Sequence, residues 1–182
     1  MVQTELSRAY DELLVTQSLR GDRAALNKLA MRWHPRLLRT ARRLLGQEEQ
    51  ARDVAQDAWI GIHKGLGRLS DPRKFQVWAY KILHNKCNDR IRAEIKRRNR
   101  EGDIDHEIAS PAKAETLTAI HLAFEALSPT HRIAATLFYS EGLTLSEIAA
   151  ITNVPLGTAK SRIFHARKHL KSLLKGDDDD TI

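Results

Sequence analysis

The stretch Leu143-Thr-Leu-Ser-Glu-Ile-Ala-Ala-Ile-Thr-Asn-Val-Pro-Leu-Gly-Thr-Ala-Lys-Ser-Arg-Ile-Phe-His-Ala-Arg-Lys-His-Leu-Lys171 reads as two helices joined by a tight turn, the second carrying Lys and Arg but no acid. Thr144 and Glu147 have the spacing of a capping box, which starts a helix near Leu145 that runs through Ile148, Ala149 and Ile151. Asn153 suits the left-handed residue that ends it, and Pro155 suits the first turn of the next helix. In that second helix Ala159, Ile163, Ala166 and Leu170 recur at helical spacing and give one apolar stripe for a core. Two polar stripes remain. Thr158, Ser161, Arg162, His165 and His169 share one; Lys160, Arg167, Lys171 and Lys175 share the other, with Phe164 among them. An acid-free helix entered through a tight turn is how a small protein sets side chains in the DNA major groove. The first stripe is therefore assigned to base edges and the second to phosphates, because phosphate contacts position a helix and groove-facing side chains read sequence. A basic surface helix with no ligand has the same spacing on its own; the capped helix and turn before it favour DNA.

Length and charge bound the rest. A chain of 182 residues holds one domain or two small ones, each with a modest core. Its net charge of +7 suggests a polyanionic partner, and 42% hydrophobic residues suit a soluble globular chain. No segment approaches the length of a membrane span, and Met1-Val-Gln-Thr-Glu-Leu6 lacks the basic start and apolar run of a secretion signal, so no direct membrane insertion is expected. With Cys87 as the one cysteine there is no internal disulfide, and the expected compartment is the cytoplasm.

The periodicity is helical throughout, which predicts an all-α fold of two small helical domains. A first helix is expected over Glu5 to Leu19, closed by Gly21, and a second from after Asp22 to Leu45 before Gly46, kinked at Pro35. A third covers about Glu48 to Leu66, and a fourth follows Asp71-Pro72 as far as Arg98. Residues 99–113 then carry Glu101, Asp103, Asp105 and Glu107 with little apolar content, which reads as a flexible acidic linker. Helices from Ala112 to Ala126 and from Pro129 to Ser140 lead into the helix-turn-helix, giving domains over 1–98 and 114–175. The acidic end, 176–182, reads as a frayed tail.

Two further surfaces stand out. In the third helix Ala51, Val54, Ala55, Ala58, Ile62 and Leu66 form a core stripe, while Asp53, Gln56, Asp57, Ile60 and Lys64 lie opposite. That opposite face suits either solvent or another protein, and spacing leaves both open. In the fourth helix Phe75, Trp78, Tyr80 and Ile82 precede Asn85, and 86–100 holds seven Lys or Arg. Taken singly, Phe75 and Trp78 read as core residues. As a group, aromatics beside an amide and cations are what holds an unstacked base and follows a single strand.

Asp53-Val-Ala-Gln-Asp-Ala-Trp59, Phe75-Gln-Val-Trp-Ala-Tyr-Lys-Ile-Leu-His-Asn85, Leu127-Ser-Pro129 and Gly157-Thr-Ala-Lys-Ser-Arg-Ile163 with Ala166-Arg167 together resemble bacterial RNA polymerase sigma factors of the extracytoplasmic-function group, over about residues 10 to 175. The resemblance implies sigma region 2, a linker, and sigma region 4. It implies that Asp53, Gln56 and Asp57, with Ile60 on the same face, dock on the clamp helices of core RNA polymerase. Ser70, Asp71, Arg73, Lys74 and Phe75, with Trp78 and Asn85, would hold a base flipped from the minus-ten element, and Lys86, Arg90 and Arg92 would support the adjacent backbone. Thr158, Lys160, Ser161, Arg162 and His165, with Arg167 and Lys171, would meet the minus-thirty-five duplex of promoter DNA. An anti-sigma factor is a further implied partner.

Enzymatic chemistry finds no footing in the sequence. There is no Gly-rich phosphate loop, no His-Glu-x-x-His and no cysteine pair with metal spacing; His165 and His169 have ligand spacing without a third ligand, so neither catalysis nor a cofactor is expected. Two other readings stay open on the sequence: a sigma-mimicking protein that titrates an anti-sigma factor, and a stand-alone helix-turn-helix regulator.

Overall fold

The computed structural model describes residues 2–101 and 119–175, and every regular element among them is helical. The expected linker beyond Glu101, the start of the helix expected at Ala112 and the acidic tail lie outside the described residues. Contacts divide the chain into two units, Met1–Ala93 and Glu94–Ile182. The division falls before the expected boundary at Arg98 because the helix running through it is exposed from Arg92 onward at most positions.

The first unit holds α1 (Val2–Leu19), α2 (Arg23–Leu45), α3 (Glu48–Gly65) and α4 (Phe75–Glu101). Helix α1 begins three residues before the expected Glu5, since Val2-Gln3-Thr4 contains no breaker. Asp22 starts α2 by accepting from the backbone N–H of Ala24 and Ala25 at 2.8 and 3.1 Å, a cap that contributes about 1 kcal/mol. Gly46 ends it at φ 74°, donating to the Arg42 carbonyl at 2.9 Å, and Pro35 lies inside the continuous helix. The buried stripe Ala25, Leu29, Trp33, Leu37 and Ala41 packs on Leu14 and Val15 of α1 and on the Ala51, Val54, Ala55, Ala58, Ile62 stripe of α3 in the same core. Trp33 stands at the centre, its ring 4.9 Å from Phe75 edge-on and 5.5 Å from Tyr80. The α1–α2 pair carries a buried carboxylate that the sequence did not announce. Asp11 accepts from Arg32 Nε at 2.5 Å and Arg36 Nη1 at 3.4 Å, and the Arg36 guanidinium lies 4.4 Å over the Trp33 ring.

The second unit holds α5 (Ala119–Glu125), α6 (Pro129–Ala135), α7 (Leu145–Thr152) and α8 (Leu156–Lys175). Pro129 opens α6, and the Arg132 guanidinium donates to the carbonyls of Glu125 and Leu127, tying the α5–α6 turn. Where one regular helix to Ser140 was expected, α6 widens into a π turn over Thr136–Ser140. The wider turn leaves Leu137 buried and its carbonyl free to accept from Leu143 N at 3.1 Å, which closes the approach to α7. Ala123, Leu127, Ala135, Ala166 and Leu170 form one apolar core with Phe124 against it.

Candidate nucleic-acid interface

The helix-turn-helix is built from its caps. Thr144 Oγ1 accepts from Glu147 N at 3.3 Å while the Glu147 carboxylate accepts from Thr144 N at 2.8 Å, so both orphan donors at the start of α7 are satisfied. Asn153 takes the left-handed conformation at φ 54°. Helix α8 begins one residue after Pro155, whose carbonyl accepts from Thr158 N and Ala159 N at 2.9 and 3.1 Å; Pro155 precedes the first turn instead of occupying it. Ala159, Ile163, Ala166 and Leu170 are buried, which fixes the rotation of α8. Ser161, His165 and His169 are then exposed, with Thr158 and Arg162 half-buried at the margin of that face. Lys160, Arg167 and Lys171 are exposed on the other polar stripe, beside Phe164.

One neighbour of this surface comes from α6. The His131 ring stacks on the His165 ring with centroids 5.9 Å apart and planes at 27°, and Phe164 meets His165 edge-on at 5.5 Å. Burial, and then the nearby His165, His169 and Arg162, hold the His131 pKa below its ordinary value. Sequence reading missed His131 because a contact across 34 positions leaves no local signature.

On α3, Asp53, Gln56, Asp57 and Ile60 are all exposed, opposite the buried stripe. Arg42 and Arg52 both pair with Glu48 at the start of that helix, Arg52 at 2.8 Å.

The third group is divided by the structure. Asp71 accepts from Arg73 N at 3.1 Å and Arg73 Nε at 3.0 Å, capping the 3-10 turn Pro72–Lys74; the same hydrogen bonds hold its carboxyl below the usual range. Ser70, Arg73 and Lys74 are exposed around that turn. Phe75 is corrected from the expected base-holding set: at 1% exposure, edge-on to Trp33, it is a core residue. Trp78 is half-buried, 6.1 Å from Phe75, and lies over Gly65, where a Cβ would stand 3.0 Å from its ring. Further along α4, Asn85 and Arg92 share the face of Trp78 at seven-residue spacing. Arg90 lies two residues from Arg92, about 200° around the helix, so Lys86 and Arg90 lie on one side of α4 and Arg92 on another. Lys81, exposed one turn before Asn85, joins the Trp78 face; its i−4 spacing was the signal that identified it and was passed over.

Residues 29–97 match the family described as Sigma-70 region 2, and residues 117–170 match Sigma-70, region 4. The chain belongs to the extracytoplasmic-function group of sigma-70 family sigma factors. It is 30% identical to the RNA polymerase sigma-H factor of Pseudomonas aeruginosa, over 93% of this chain and 96% of that one. It is 31% identical to the ECF RNA polymerase sigma factor SigM of Mycobacterium tuberculosis, over 90% and 84%. The fold is shared with the sigma factor RpoE of Bartonella quintana, solved in complex with the anti-sigma factor NepR, with a TM-score of 0.71 at 24% identity over 84% of this chain and 98% of that one. For this sigma factor, no helix among the described residues is long and apolar enough to cross a membrane.

Proposed function

We propose that this sigma factor binds core RNA polymerase and directs it to promoters by reading the minus-thirty-five element as duplex and the minus-ten element as melted strand. The observation that carries the reading is one chain with two sigma regions, each presenting a solvent-facing polar stripe opposite a packed core stripe. Residues 1–98 act as the region 2 domain, 114–175 as the region 4 domain, and 99–113 as the linker between them. Asp53, Gln56, Asp57 and Ile60 dock on the polymerase clamp, an acidic and amide face with one apolar anchor. Ser70, Arg73, Lys74, Trp78, Asn85 and Arg92, with Lys81, meet the non-template strand of the minus-ten element. Asp71 shapes that loop through Arg73 and leaves base contact to its neighbours. Lys86 and Arg90 support strand backbone from a separate face of α4. Thr158, Ser161, Arg162 and His165 read base edges of the upstream element, and Lys160, Arg167 and Lys171 hold its phosphates. Sigma factors are DNA-binding initiation factors, and bond-making belongs to the polymerase. The protein works in the cytoplasm and is held in check by an anti-sigma factor.

Run-off transcription with bacterial core polymerase and a library of upstream fragments tests this reading. Defined transcripts that appear only when the protein is added support it; identical transcripts with and without it refute it.

A further inference from the structure

The reading of α8 as the duplex-contacting helix leaves one cluster without a role. His131 belongs to α6, outside the helix-turn-helix, yet its ring is stacked on the ring of His165. An exposed imidazole on a helix ordinarily exchanges among rotamers. Here Phe164 meets the same ring edge-on, so His165 has aromatic partners from two different helices. A neutral imidazole makes one directed hydrogen bond from each nitrogen, and the plane of its ring decides which base-edge atom it reaches. Whatever fixes that plane therefore sets specificity.

We propose that His131 is a positioning residue for promoter recognition, whose stacked ring fixes the plane in which His165 meets a base edge of the upstream element. The inference rests on the assignment of His165 to the base-reading stripe. The groups acting on His131 are Arg162, His165 and His169, all from α8, while its neighbour Arg132 is turned to the Glu125 and Leu127 carbonyls. All three favour a neutral His131. The stack is intact while His131 is neutral and weakens when acid protonates it beside the Arg162 guanidinium.

Selection of bound sequences by holoenzyme, with the upstream element randomised, tests this using wild type, His131→Ala, His131→Phe and His165→Ala. His165→Ala locates the base pair read by that residue. His131→Ala is expected to lower the preference at that same pair by about two- to tenfold, the worth of one aromatic pair, and to leave other positions unchanged. His131→Phe restores the preference, because it keeps the ring. Acidification from about pH 7.5 to 5.5 lowers the wild-type preference relative to that of His131→Phe, whose ring at position 131 takes up no proton. If His165→Ala flattens one position and His131→Ala selects like wild type there, the inference is overturned while the assignment of α8 stands. If His165→Ala itself selects like wild type, the assignment falls and takes the inference with it. Should His131→Ala lose its helical signal, His131→Phe still decides: equal acid sensitivity in it and in wild type overturns the proposal.

Discussion

Replacing Lys171 by Ala tests the stripe of α8 proposed to hold phosphates. Lys160, Arg167 and Lys171 are exposed at seven- and four-residue spacing, so they line one side of the helix, about 90° around from the buried Ala159, Ile163, Ala166 and Leu170. On duplex DNA each neutralised phosphate adds about −0.9 to the slope of log affinity against log salt. Between about 0.05 and 0.2 M salt the logarithm changes by about 0.6, so one contact accounts for about 3.5-fold in affinity and three for about 40-fold. Lys171→Ala is therefore expected to flatten the holoenzyme's slope by about 0.9 and to leave the preferred upstream sequence unchanged. Fluorescence anisotropy of a labelled promoter duplex across a salt series measures the slope, and selection from a randomised element measures the preference. A slope equal to wild type would show that Lys171 meets no phosphate; an altered preference would show that the two polar stripes of α8 are assigned the wrong way round.

Asp53→Ala with Gln56→Ala is expected to weaken co-purification with core polymerase by about 1–2 kcal/mol while unfolding stability stays within about 0.5 kcal/mol, since both side chains are exposed; unchanged core binding refutes the docking face. Gly65→Ala sets a Cβ 3.0 Å from the Trp78 ring, which Phe75 backs at 6.1 Å, so overpacking of about 1–3 kcal/mol outweighs the better helix propensity of Ala. A lower Tm with altered tryptophan fluorescence is the expected result, and a raised Tm counts against it. Burial pushes the Cys87 thiol up to about 12, so it stays protonated and slow toward alkylating reagents at pH 8 until the chain unfolds. Because the folded state holds this proton longer than the unfolded one, the associated stability is complete below about pH 9 and is lost as pH rises from there toward 12, which alkaline unfolding followed by circular dichroism will register.

What was legible in the sequence was what neighbouring residues determine. Capping at Asp22 and Thr144, the chain reversals at Gly46 and Asn153, and the apolar stripes of α3 and α8 are contests between a residue and the turn it sits in, and the structure resolves them as the spacing implies. The faces turned away from those stripes follow by rotation, which is why Asp53, Gln56, His165 and Lys171 are exposed. Reading was divided where two elements compete for one side chain. Phe75 read as core taken singly and as part of a base-holding group; Trp33, 42 positions earlier, offers it an edge-on contact and a buried site, and burial of a large aromatic outweighs what an exposed ring would gain. Lys86, Arg90 and Arg92 were grouped by the family resemblance, and helix geometry turns Arg90 and Arg92 to opposite sides; the same 100° rule joins Lys81 to Asn85 and was available from the sequence alone. Asp11 with Arg32 and Arg36, and His131 with His165, are of another kind, since only the packing of one helix on another brings them together. Local pattern identifies residues on an exposed helix face, whereas the contacts they receive from other helices come only with packing. The surface of α8 can accordingly be read from 29 consecutive residues, and the orientation of one imidazole on it cannot.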